Sequence, residues 1–519
     1  MRTRVTNAQK NQEMPQKPEQ ESASEIPESV KVIAERLIES GKSAYLVGGC
    51  VRDLILRREP KDWDIATDAH PEEGVRLFPE SVYENDFGTV AVKTEPLIGQ
   101  GEKGIVEVTT MRQEGRYTVK RHPDNITFAK TIEADLSRRD FTVNAMAYKL
   151  GTGKSGRNFA ASESLLVDPY GGERDLAGKV IRAVGNPAER FNEDALRLMR
   201  AVRFAAELGF TVEEKTGEAL KKESGLLEMI AKERVRDELG KILMAGRAAS
   251  GIQMLESVGL LRFIMPELRE GLGVGQNKHH IYSVWEHNLR ALDYTVGKKY
   301  PLLIRMAALL HDVGKPRAKR GEGPDSTFYQ HDKIGARMVI KMMDRLRFSK
   351  DLTEQVAHLV NYHMFFYNMG EVTEAGVRRF LRRVGPENID DLMKVREADR
   401  IGSGVPKAVT YRMRHLRYMI EKVKRDPISA KMLKVNGEDV MRLADLKPGP
   451  KVGFILAALL EGVLDDPKKN SEEQLARRMS ELVKLPESEL KAMAAKARER
   501  KEEFEAGEDE EIKKQFYVQ

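Results

Sequence analysis

The segment that most constrains the fold carries two acidic residues at alternate positions. Lys61-Asp62-Trp63-Asp64-Ile65 is a candidate β-strand, and side chains two positions apart on a strand share a face. Asp62 and Asp64 would therefore hold two like charges close together, which is costly without a cation. The spacing predicts a Mg²⁺ site on a strand, although by itself it is also typical of a solvated edge strand.

A strand–turn–helix pattern lies just upstream. An apolar strand is predicted at Ala44–Val47, followed by Gly48-Gly49 and a helix at Val51–Leu56. Glycines let backbone N–H groups approach a phosphate, and a helix N-terminus adds a favourable partial charge. Arg52 could bind phosphate oxygens bidentately. A Gly-Gly turn alone is more often a tight connection, but ahead of two acids it favours a triphosphate site.

A third carboxylate belongs to the same predicted sheet. Strands are expected at Trp63–Ala66, Thr89–Lys93 and Gly104–Thr110, after an opening helix at Pro27–Ser40, and Glu107 interrupts the apolar pattern of the last strand. Carboxylates from neighbouring strands can hold two metal ions, one activating an attacking hydroxyl and the other stabilising a leaving pyrophosphate. We therefore predict that Glu107 joins Asp62 and Asp64.

Two polar segments downstream have the chemistry to read a nucleotide. Asp135–Ala145, predicted to begin a helical run, offers Arg139 for a phosphate and Asp140 as an acceptor for a ribose hydroxyl. A helix predicted over 190–204 repeats charged residues every third position: Asp194, Arg197, Arg200 and Arg203. Such spacing usually means an exposed ion-pair ladder. Asp194 and Arg197 could instead present hydrogen-bonding groups to a base edge, replacing a template.

Five segments together resemble the class II tRNA nucleotidyltransferases and bacterial poly(A) polymerases of the polymerase-beta-type superfamily. They appear in the family's order within about residues 43–210 and are Gly48–Asp53, Asp62–Asp64, Glu107–Arg112, Arg138–Ala145 and Glu193–Arg197. The resemblance implies that Asp62 and Asp64 bind Mg²⁺ and that Gly49 and Arg52 contact the triphosphate.

The same resemblance implies contacts to the incoming CTP or ATP. They would come from Arg139, Asp194, Arg197, Arg200 and Arg203, with Asp140 checking the ribose. The segment Asn85–Pro123 resembles the family's flexible region, which is associated with the switch from C to A addition. That region includes Arg116, Tyr117 and Arg121-His122-Pro123, and a glycine-bearing hairpin turn is predicted at Leu97–Gly104.

Histidines concentrate in one helical stretch of the chain. A lone helical histidine is usually a satisfied core residue, but imidazole and carboxylate groups on separate helices can hold divalent metals. The stretch resembles the HD phosphohydrolase domain, through its H…HD…D pattern and two further histidines. The implied ligands are His287, His311, Asp312, His331, His363 and Asp399. The resemblance implies Mn²⁺, Ni²⁺, Co²⁺ or Mg²⁺, and phosphatase or phosphodiesterase activity, although some such domains keep the helices only for RNA docking.

The predicted fold class is α+β, a mixed-sheet nucleotidyltransferase head followed by an all-α neck, body and HD-type domain. The predicted divisions are a disordered leader at 1–25, the head at 26–185, a helical neck at 186–270, the HD-type domain at 271–426, a helical tail at 427–470 and a charged extension at 471–519.

Composition adds expectations about setting and partners. The formal net charge is +6, and residues 376–425 hold 14 basic against 6 acidic side chains, which favours a phosphate-binding surface. Cys50 is the only cysteine, so neither an intrachain disulfide nor a cysteine zinc site is expected. No apolar stretch approaches the roughly 18 residues of a membrane span. We expect a cytoplasmic protein that binds RNA, with neither DNA nor membrane as partner.

Three functional hypotheses follow. The first is addition of CCA to the 3′ end of tRNA from CTP and ATP. The second is a poly(A) polymerase, because both activities share these motifs. The third is a binding or hydrolytic protein with an idle polymerase core, against which the intact Asp62, Asp64, Arg197 and Arg200 argue.

Overall fold

The computed structural model describes residues 26–85, 88–94, 104–114, 126–151, 166–277, 281–424 and 433–518. The predicted leader, the switch residues Arg116, Tyr117 and Arg121-His122-Pro123, and nearly all of the predicted turn at Leu97–Gly104 lie outside these ranges. The chain divides into two compact units. One comprises residues up to 270 with 296–305 and 341–350, and the other comprises 271–295, 306–340 and the chain from 351 onward.

Helices dominate after residue 186, as the sequence predicts. Up to residue 270 they are α1 Glu28–Glu39, α2 Gly49–Ile55, α3 Pro71–Leu77, α4 Ile132–Ser137, α5 Gly172–Ala177, α6 Pro187–Glu193, α7 Arg197–Leu208, α8 Glu214–Lys222, α9 Lys232–Met244, α10 Ala248–Ser257, α11 Leu261–Ile264 and α12 Pro266–Arg269. The others are α13 Val284–Gly297, α14 Leu302–Leu310, α15 Lys315–Ala318, α16 His331–Arg345, α17 Lys350–Tyr362, α18 Glu374–Val384, α19 Ile389–Gly402, α20 Tyr411–Lys424, α21 Gly437–Ala444, α22 Pro450–Asp465, α23 Glu472–Leu482 and α24 Glu487–Phe516.

The first unit contains a mixed seven-stranded sheet in the order β3-β4-β5-β2-β1-β8-β9. The strands of the described chain are β1 Tyr45–Val47, β2 Trp63–Thr67, β3 Ser81–Asn85, β4 Thr89–Thr94, β5 Gly104–Thr110, β6 Arg112–Glu114, β7 Ile126–Phe128, β8 Ala147–Lys149, β9 Leu166–Val167, β10 Val180–Ile181 and β11 Thr211–Val212. β2 and β5 run parallel at its centre. The sheet followed by helices confirms the predicted α+β class.

Alternating burial explains why the central strands form where the sequence predicts them. In β2, Trp63 and Ile65 are buried, and in β5, Val106 and Val108 are buried. The residues between them, Asp64 and Glu107, therefore point to the other face of the sheet. Cys50 is buried at the start of α2.

Two predicted helices are wrong in part. The run over 190–204 is interrupted, since α6 ends at Glu193 and α7 begins at Arg197. The Asp194 carboxylate accepts the Leu196 N–H at 3.0 Å, a local bond that competes with a continuous helix. The run after Asp135 is also short: α4 ends at Ser137, and 142–144 forms a single 3₁₀ turn before β8.

The C-terminal part of the second unit has a core of its own. Buried side chains from α21, α22, α23 and the start of α24 pack together, and this cluster comprises Leu433, Val435, Val440, Val452, Ile455, Ala458, Leu459, Leu460, Leu475, Met479, Leu482 and Leu490. This core includes residues on both sides of position 470, where the sequence predicts a division between the helical tail and the charged extension. Among the described residues, none of the helices combines the length and the apolar character that crossing a membrane requires.

Candidate active site and a second metal-ligand cluster

The predicted catalytic carboxylates lie on the two central parallel strands. Asp64 on β2 stands in register with Glu107 on β5, and Asp62 lies immediately before β2. Burial raises the pKa of Asp64, Arg139 lowers it, and Asp62 raises it again, so the two aspartates are close enough to interact. Among the described residues, the groups whose ligand atoms converge within 4.8 Å all lie in the second unit. Convergence of these three carboxylates on a metal stays a prediction.

The Gly-Gly turn lies directly against this acidic face. Gly48 has φ of +78° and precedes α2. A Cβ there would stand 2.6 Å from Nη1 of Arg139 and 3.7 Å from Oδ2 of Asp64. Only glycine leaves space for the guanidinium at this place and adopts this backbone conformation without strain. The turn, Arg139 and Asp64 therefore form one contiguous group.

Arg139 is fixed by a buried acid that sequence reasoning missed. Asp135, buried on α4, accepts from Arg138 at 2.7 Å and from Arg139 at 3.2 Å. Burial disfavours its charged form, yet Arg139 and Arg138 lower the pKa of Asp135. The available signal was its position, one helical turn before Arg139. Asp135 therefore holds Arg139 over the Gly48 turn.

Arg52 projects from the first turn of α2. Its guanidinium donates to Asp53 through Nε and Nη2, each at 2.9 Å, and through Nη1 to Oδ1 of Asn144 at 2.8 Å. Gly49 adjoins it, because a Cβ there would stand 3.7 Å from Nη2 of Arg52. Arg52 is thus oriented by its neighbours, and its predicted contact with a triphosphate remains a prediction.

Asp140 and Arg200 form a buried ion pair. Oδ2 of Asp140 accepts from Arg200 at 2.6 Å, while Oδ1 accepts from the Phe141 N–H and the Asn144 amide. Burial opposes its charge, but Arg200 and Arg197 lower the pKa of Asp140. Asp140 is therefore ionised and engaged by protein groups, and its predicted contact with a ribose hydroxyl remains a prediction.

Asp194 and Arg197 lie on either side of the break between α6 and α7. Asp194 accepts from Arg234 of α9 at 2.9 Å and 3.4 Å. Arg197 donates to Glu193 at 2.6 Å and to the Arg138 carbonyl at 2.9 Å. Sequence reasoning missed Arg234, because nothing local in the chain marks a partner 40 positions from Asp194. Both predicted base-reading groups are held in defined orientations.

Arg203 is buried, as are Arg197 and Asp140. It donates to Glu238 at 2.7 Å and to Glu207 at 3.0 Å, and its guanidinium lies 4.1 Å from the centroid of the Phe204 ring. Side chains of α7 and α9 are thereby tied together. A contact between Arg203 and a nucleotide stays a prediction.

The predicted HD-type ligands come together in the second unit. His287, His311, Asp312 and Asp399 form one group, and Asp312, His331 and His363 form another. Asp312 belongs to both: its Oδ2 lies 3.1 Å from Nε2 of His287, and its Oδ1 lies 3.2 Å from Nε2 of His331. A carboxylate that faces two groups of imidazoles can bridge two metal ions.

The imidazoles are oriented as metal ligands. Nδ1 of His311 lies 2.8 Å from the Ala308 carbonyl, and Nδ1 of His331 and His363 lie 2.7 Å from carbonyls. A carbonyl only accepts, so each Nδ1 donates, and in the neutral ring the Nε2 lone pair faces the cluster. Nε2 of His287 and His311 approach to 2.8 Å. At this distance one ring can donate a proton to the other, and a bound cation would replace that proton.

Charge within the cluster is strongly perturbed. Burial alone lowers the pKa of His311, but Asp312 and Asp399 raise it to about 10. Burial likewise opposes ionisation of Asp312 and Asp399, yet Lys315 and His311 hold the pKa of Asp312 well below its usual range, and His287 and His311 do the same for Asp399. Both carboxylates are therefore ionised.

Two glycines that sequence reasoning did not single out bring the ligand-bearing helices together. A Cβ on Gly314 would stand 2.2 Å from the His331 carbonyl oxygen, and a Cβ on Gly402 would stand 2.8 Å from the His287 carbonyl oxygen. Both lie within three residues of a predicted ligand in sequence. That proximity was a usable signal.

The predicted RNA surface is retained only in part. Arg378 and Lys422 pair with Glu374, and Arg417 pairs with Glu397. Tyr418, which lies within the predicted surface at 376–425, is buried and donates to Asp509. Its burial against Ile512 of α24 explains the difference. Arg425 lies outside the described residues.

Comparisons with known proteins agree with this architecture. Family models match residues 44–182 (Poly A polymerase head domain), 209–272 (Probable RNA and SrmB- binding site of polymerase A) and 279–403 (HD domain). The A-adding tRNA nucleotidyltransferase of Deinococcus radiodurans is 35% identical over 80% of this chain and 91% of its own. The CC-adding tRNA nucleotidyltransferase of Thermus thermophilus is 34% identical over 84% and 93%.

Further likeness extends to CCA-adding enzymes. That of a Geobacillus species is 30% identical over 86% of this chain and 96% of its own. The crystal structure of the Bacillus stearothermophilus CCA-adding enzyme in complex with CTP is 26% identical, covers 87% of this chain and 96% of its own, and has a TM-score of 0.52.

A sheet with acids on its central strands, followed by helices that carry oriented arginines, agrees with these relatives, and the chain is a nucleotidyltransferase. The chain belongs to the family of tRNA nucleotidyltransferases and poly(A) polymerases, as the sequence resemblance indicated. Enzymes of this family depend on a divalent metal, and the cluster in the second unit is a further candidate for binding one.

Proposed function

We propose that this enzyme adds CCA to the 3′ end of tRNA, using CTP and ATP and releasing pyrophosphate. The observation that carries the proposal is the register of Asp64 with Glu107 beside the Gly48 turn, in a chain similar over most of its length to tRNA nucleotidyltransferases. Poly(A) tailing is not favoured, because these relatives are named for tRNA.

We assign Asp62, Asp64 and Glu107 to holding Mg²⁺, since carboxylate oxygens are its preferred ligands. Bound there, Mg²⁺ would lower the pKa of the terminal 3′-hydroxyl and neutralise charge on the leaving pyrophosphate. Arg139 favours the ionised form of Asp64. Backbone N–H groups of Gly48 and Gly49, with Arg52, hold the triphosphate.

We assign base reading to Asp194 and Arg197, because one offers acceptors and the other donors. Arg234 fixes the carboxylate of Asp194, and Glu193 fixes the guanidinium of Arg197. Positions held in this way can distinguish the edges of cytosine and adenine without a template. Arg200 orients Asp140 for the ribose.

The named relatives divide into A-adding, CC-adding and CCA-adding enzymes, so the test must separate these outcomes. Purified protein is incubated with tRNAs that end before CCA or after CC, with CTP and ATP together and singly, and the products are sequenced. CCA on the first tRNA supports the proposal. Only CC, only A, or long A tails would replace it with the corresponding activity, and no extension would refute it.

We propose a second activity, metal-dependent hydrolysis of phosphate esters such as 2′,3′-cyclic phosphates, in the second unit. The cluster around Asp312 supports it, because four imidazoles favour Mn²⁺, Co²⁺ or Ni²⁺ over Mg²⁺, which prefers oxygen ligands. Two measurements test this proposal. One is metal analysis of the purified protein, and the other compares hydrolysis of 2′,3′-cyclic AMP by the wild type and by Asp399→Asn. Full activity in the variant, or no metal in the wild type, would contradict the assignment.

A further inference from the structure

A cavity of about 630 Å³ opens over the metal-ligand cluster. Asp312, His331 and Asp399 line it, together with two arginines, Arg396 and Arg400. Cavities of roughly 300–1,000 Å³ accommodate small organic ligands, so there is space beside the cluster for a nucleotide. The side chains lining this cavity combine metal ligands with excess positive charge.

The two arginines are arranged to receive an anion. Arg396 and Arg400 lie one turn apart on α19, on either side of Asp399 in sequence, and such like-charged pairs disfavour a helix. Arg396 donates to Asp399 at 2.5 Å. Nε of Arg400 is buried without a hydrogen-bond partner among the described residues. Both arginines line the cavity, so an anion bound there would offset the repulsion between them.

A second cavity, of about 410 Å³, is lined by aromatic rings and cations. Phe365 and Phe380 have ring centroids 5.2 Å apart, and Phe366 lines the same cavity while remaining 74% exposed. Arg379 and Arg383 complete the lining. Exposed aromatic faces among arginines are the features that bind unpaired bases by stacking and their phosphates by charge.

The two cavities adjoin. Met364 lines the cavity over the metal ligands, and the next residue, Phe365, lines the aromatic cavity. Arg396 links them, because its Nη1 lies 3.9 Å from Sδ of Met364 and its guanidinium lies 5.8 Å from the centroid of the Phe365 ring. A ligand could therefore occupy both, with a ring system in one and a phosphate in the other.

We propose that the adjoining cavities form one site for an unpaired RNA nucleotide, with its base stacked against Phe366 and its phosphate held by Arg396 and Arg400. The site deepens the proposed hydrolytic activity, because it presents a terminal phosphate to the metal ligands. It is independent of nucleotide addition, which uses residues of the first unit. The aromatic and cationic lining favours RNA over an apolar peptide, which would leave the arginines unpaired.

The base contact is tested with a five-nucleotide single-stranded oligoadenylate that carries a 5′ fluorophore and a 3′-phosphate. Its affinity is measured by fluorescence anisotropy in EDTA, so that the 3′-phosphate is not hydrolysed. Stacking of a base on an aromatic side chain predicts that Phe366→Ala weakens binding by about fivefold or more. Phe504→Ala is the matched control, since Phe504 is an exposed phenylalanine, 44% accessible, on α24.

The phosphate contact is tested by comparing 3′-phosphate and 3′-hydroxyl oligonucleotides. The wild type should bind the phosphorylated form more tightly, and Arg400→Gln should remove the difference. Arg412→Gln, the same change at an exposed arginine of α20, should preserve it. If Arg400→Gln keeps the preference for the 3′-phosphate, the phosphate assignment is wrong.

Photo-crosslinking locates the oligonucleotide independently of affinity. A 4-thiouridine at its 3′ end should crosslink within residues 364–380, and Phe366→Ala should reduce that product. Crosslinks confined to the first unit, with unchanged affinity in Phe366→Ala, would overturn the proposal. Extension of tRNA by Phe366→Ala should equal that of the wild type, so failure of this site is distinguishable from failure of nucleotide addition.

Discussion

Replacing Asp64 by asparagine should abolish nucleotide addition and at the same time stabilise the metal-free protein. Burial raises the pKa of Asp64, and Asp62 adds to the rise, although Arg139 opposes it. Ionisation of such a group therefore costs the folded state free energy, about 1.4 kcal/mol for each pKa unit. Asparagine has nearly the same size but no charge, so Asp64→Asn avoids that cost.

Because the pKa of Asp64 is raised in the folded state, the stability gained by Asp64→Asn depends on pH. The unfolded carboxylate loses its proton near pH 3.8, before the folded one does, so the wild type loses stability as pH rises from that value through the raised pKa. The advantage of Asp64→Asn should be small near pH 3.8 and complete at neutral pH. Each pKa unit then corresponds to a melting temperature higher by about 3 °C for a unit of this size.

The assay is differential scanning calorimetry in EDTA between pH 4 and 8, with nucleotide addition measured in parallel. Asp62→Asn is the control, because Asp62 is exposed: it should also abolish addition but give a smaller gain in stability. Mg²⁺ should raise the melting temperature of the wild type but not that of Asp64→Asn or Asp62→Asn. A destabilised Asp64→Asn, or a pH-independent difference, would refute the reasoning.

Three further predictions concern other parts of the chain. Arg234→Gln should raise KM for CTP and ATP about tenfold by releasing Asp194, with Arg234→Lys intermediate; unchanged steady-state kinetics would contradict this. Gly48→Ala should reduce addition at least about a hundredfold, because the new Cβ meets Arg139 at 2.6 Å at a strained φ, and single-turnover rates near wild type would exclude that. His363→Ala should lower bound metal, measured by plasma mass spectrometry, while tRNA extension is retained; undiminished metal would contradict its role as a ligand.

The central strands were predictable because their signals are local. β5 has the predicted bounds, and β2 extends one residue beyond Ala66, since apolar alternation and the flanking turns mark both. β8 was missed, because three residues carry too little pattern and its strand form depends on pairing with β1. The end of α6 was missed because Asp194 fits helical charge spacing but bonds to the Leu196 N–H instead.

For the second unit, the resemblance to the HD domain predicted which side chains meet but not how they meet. Histidine at such positions indicates ligands, and His287, His311, His331 and His363 do converge on Asp312. The bridging position of Asp312 depends on how closely the helices approach, which Gly314 and Gly402 permit. Such distances between helices are set by tertiary packing and cannot be read from spacing along the chain.

Asp194 lies in the short segment that connects α6 to α7, whereas Arg197 is the first residue of α7. A small rotation of α7 relative to α6 would change the distance between the Asp194 carboxylate and the Arg197 guanidinium. The shape of the base that they fit would change with it, although both residues stay the same. Arg234 of α9 pairs with the Asp194 carboxylate and holds it in one orientation. Substitutions that rotate α7 would therefore change the preference for one base over another without any change at Asp194 or Arg197.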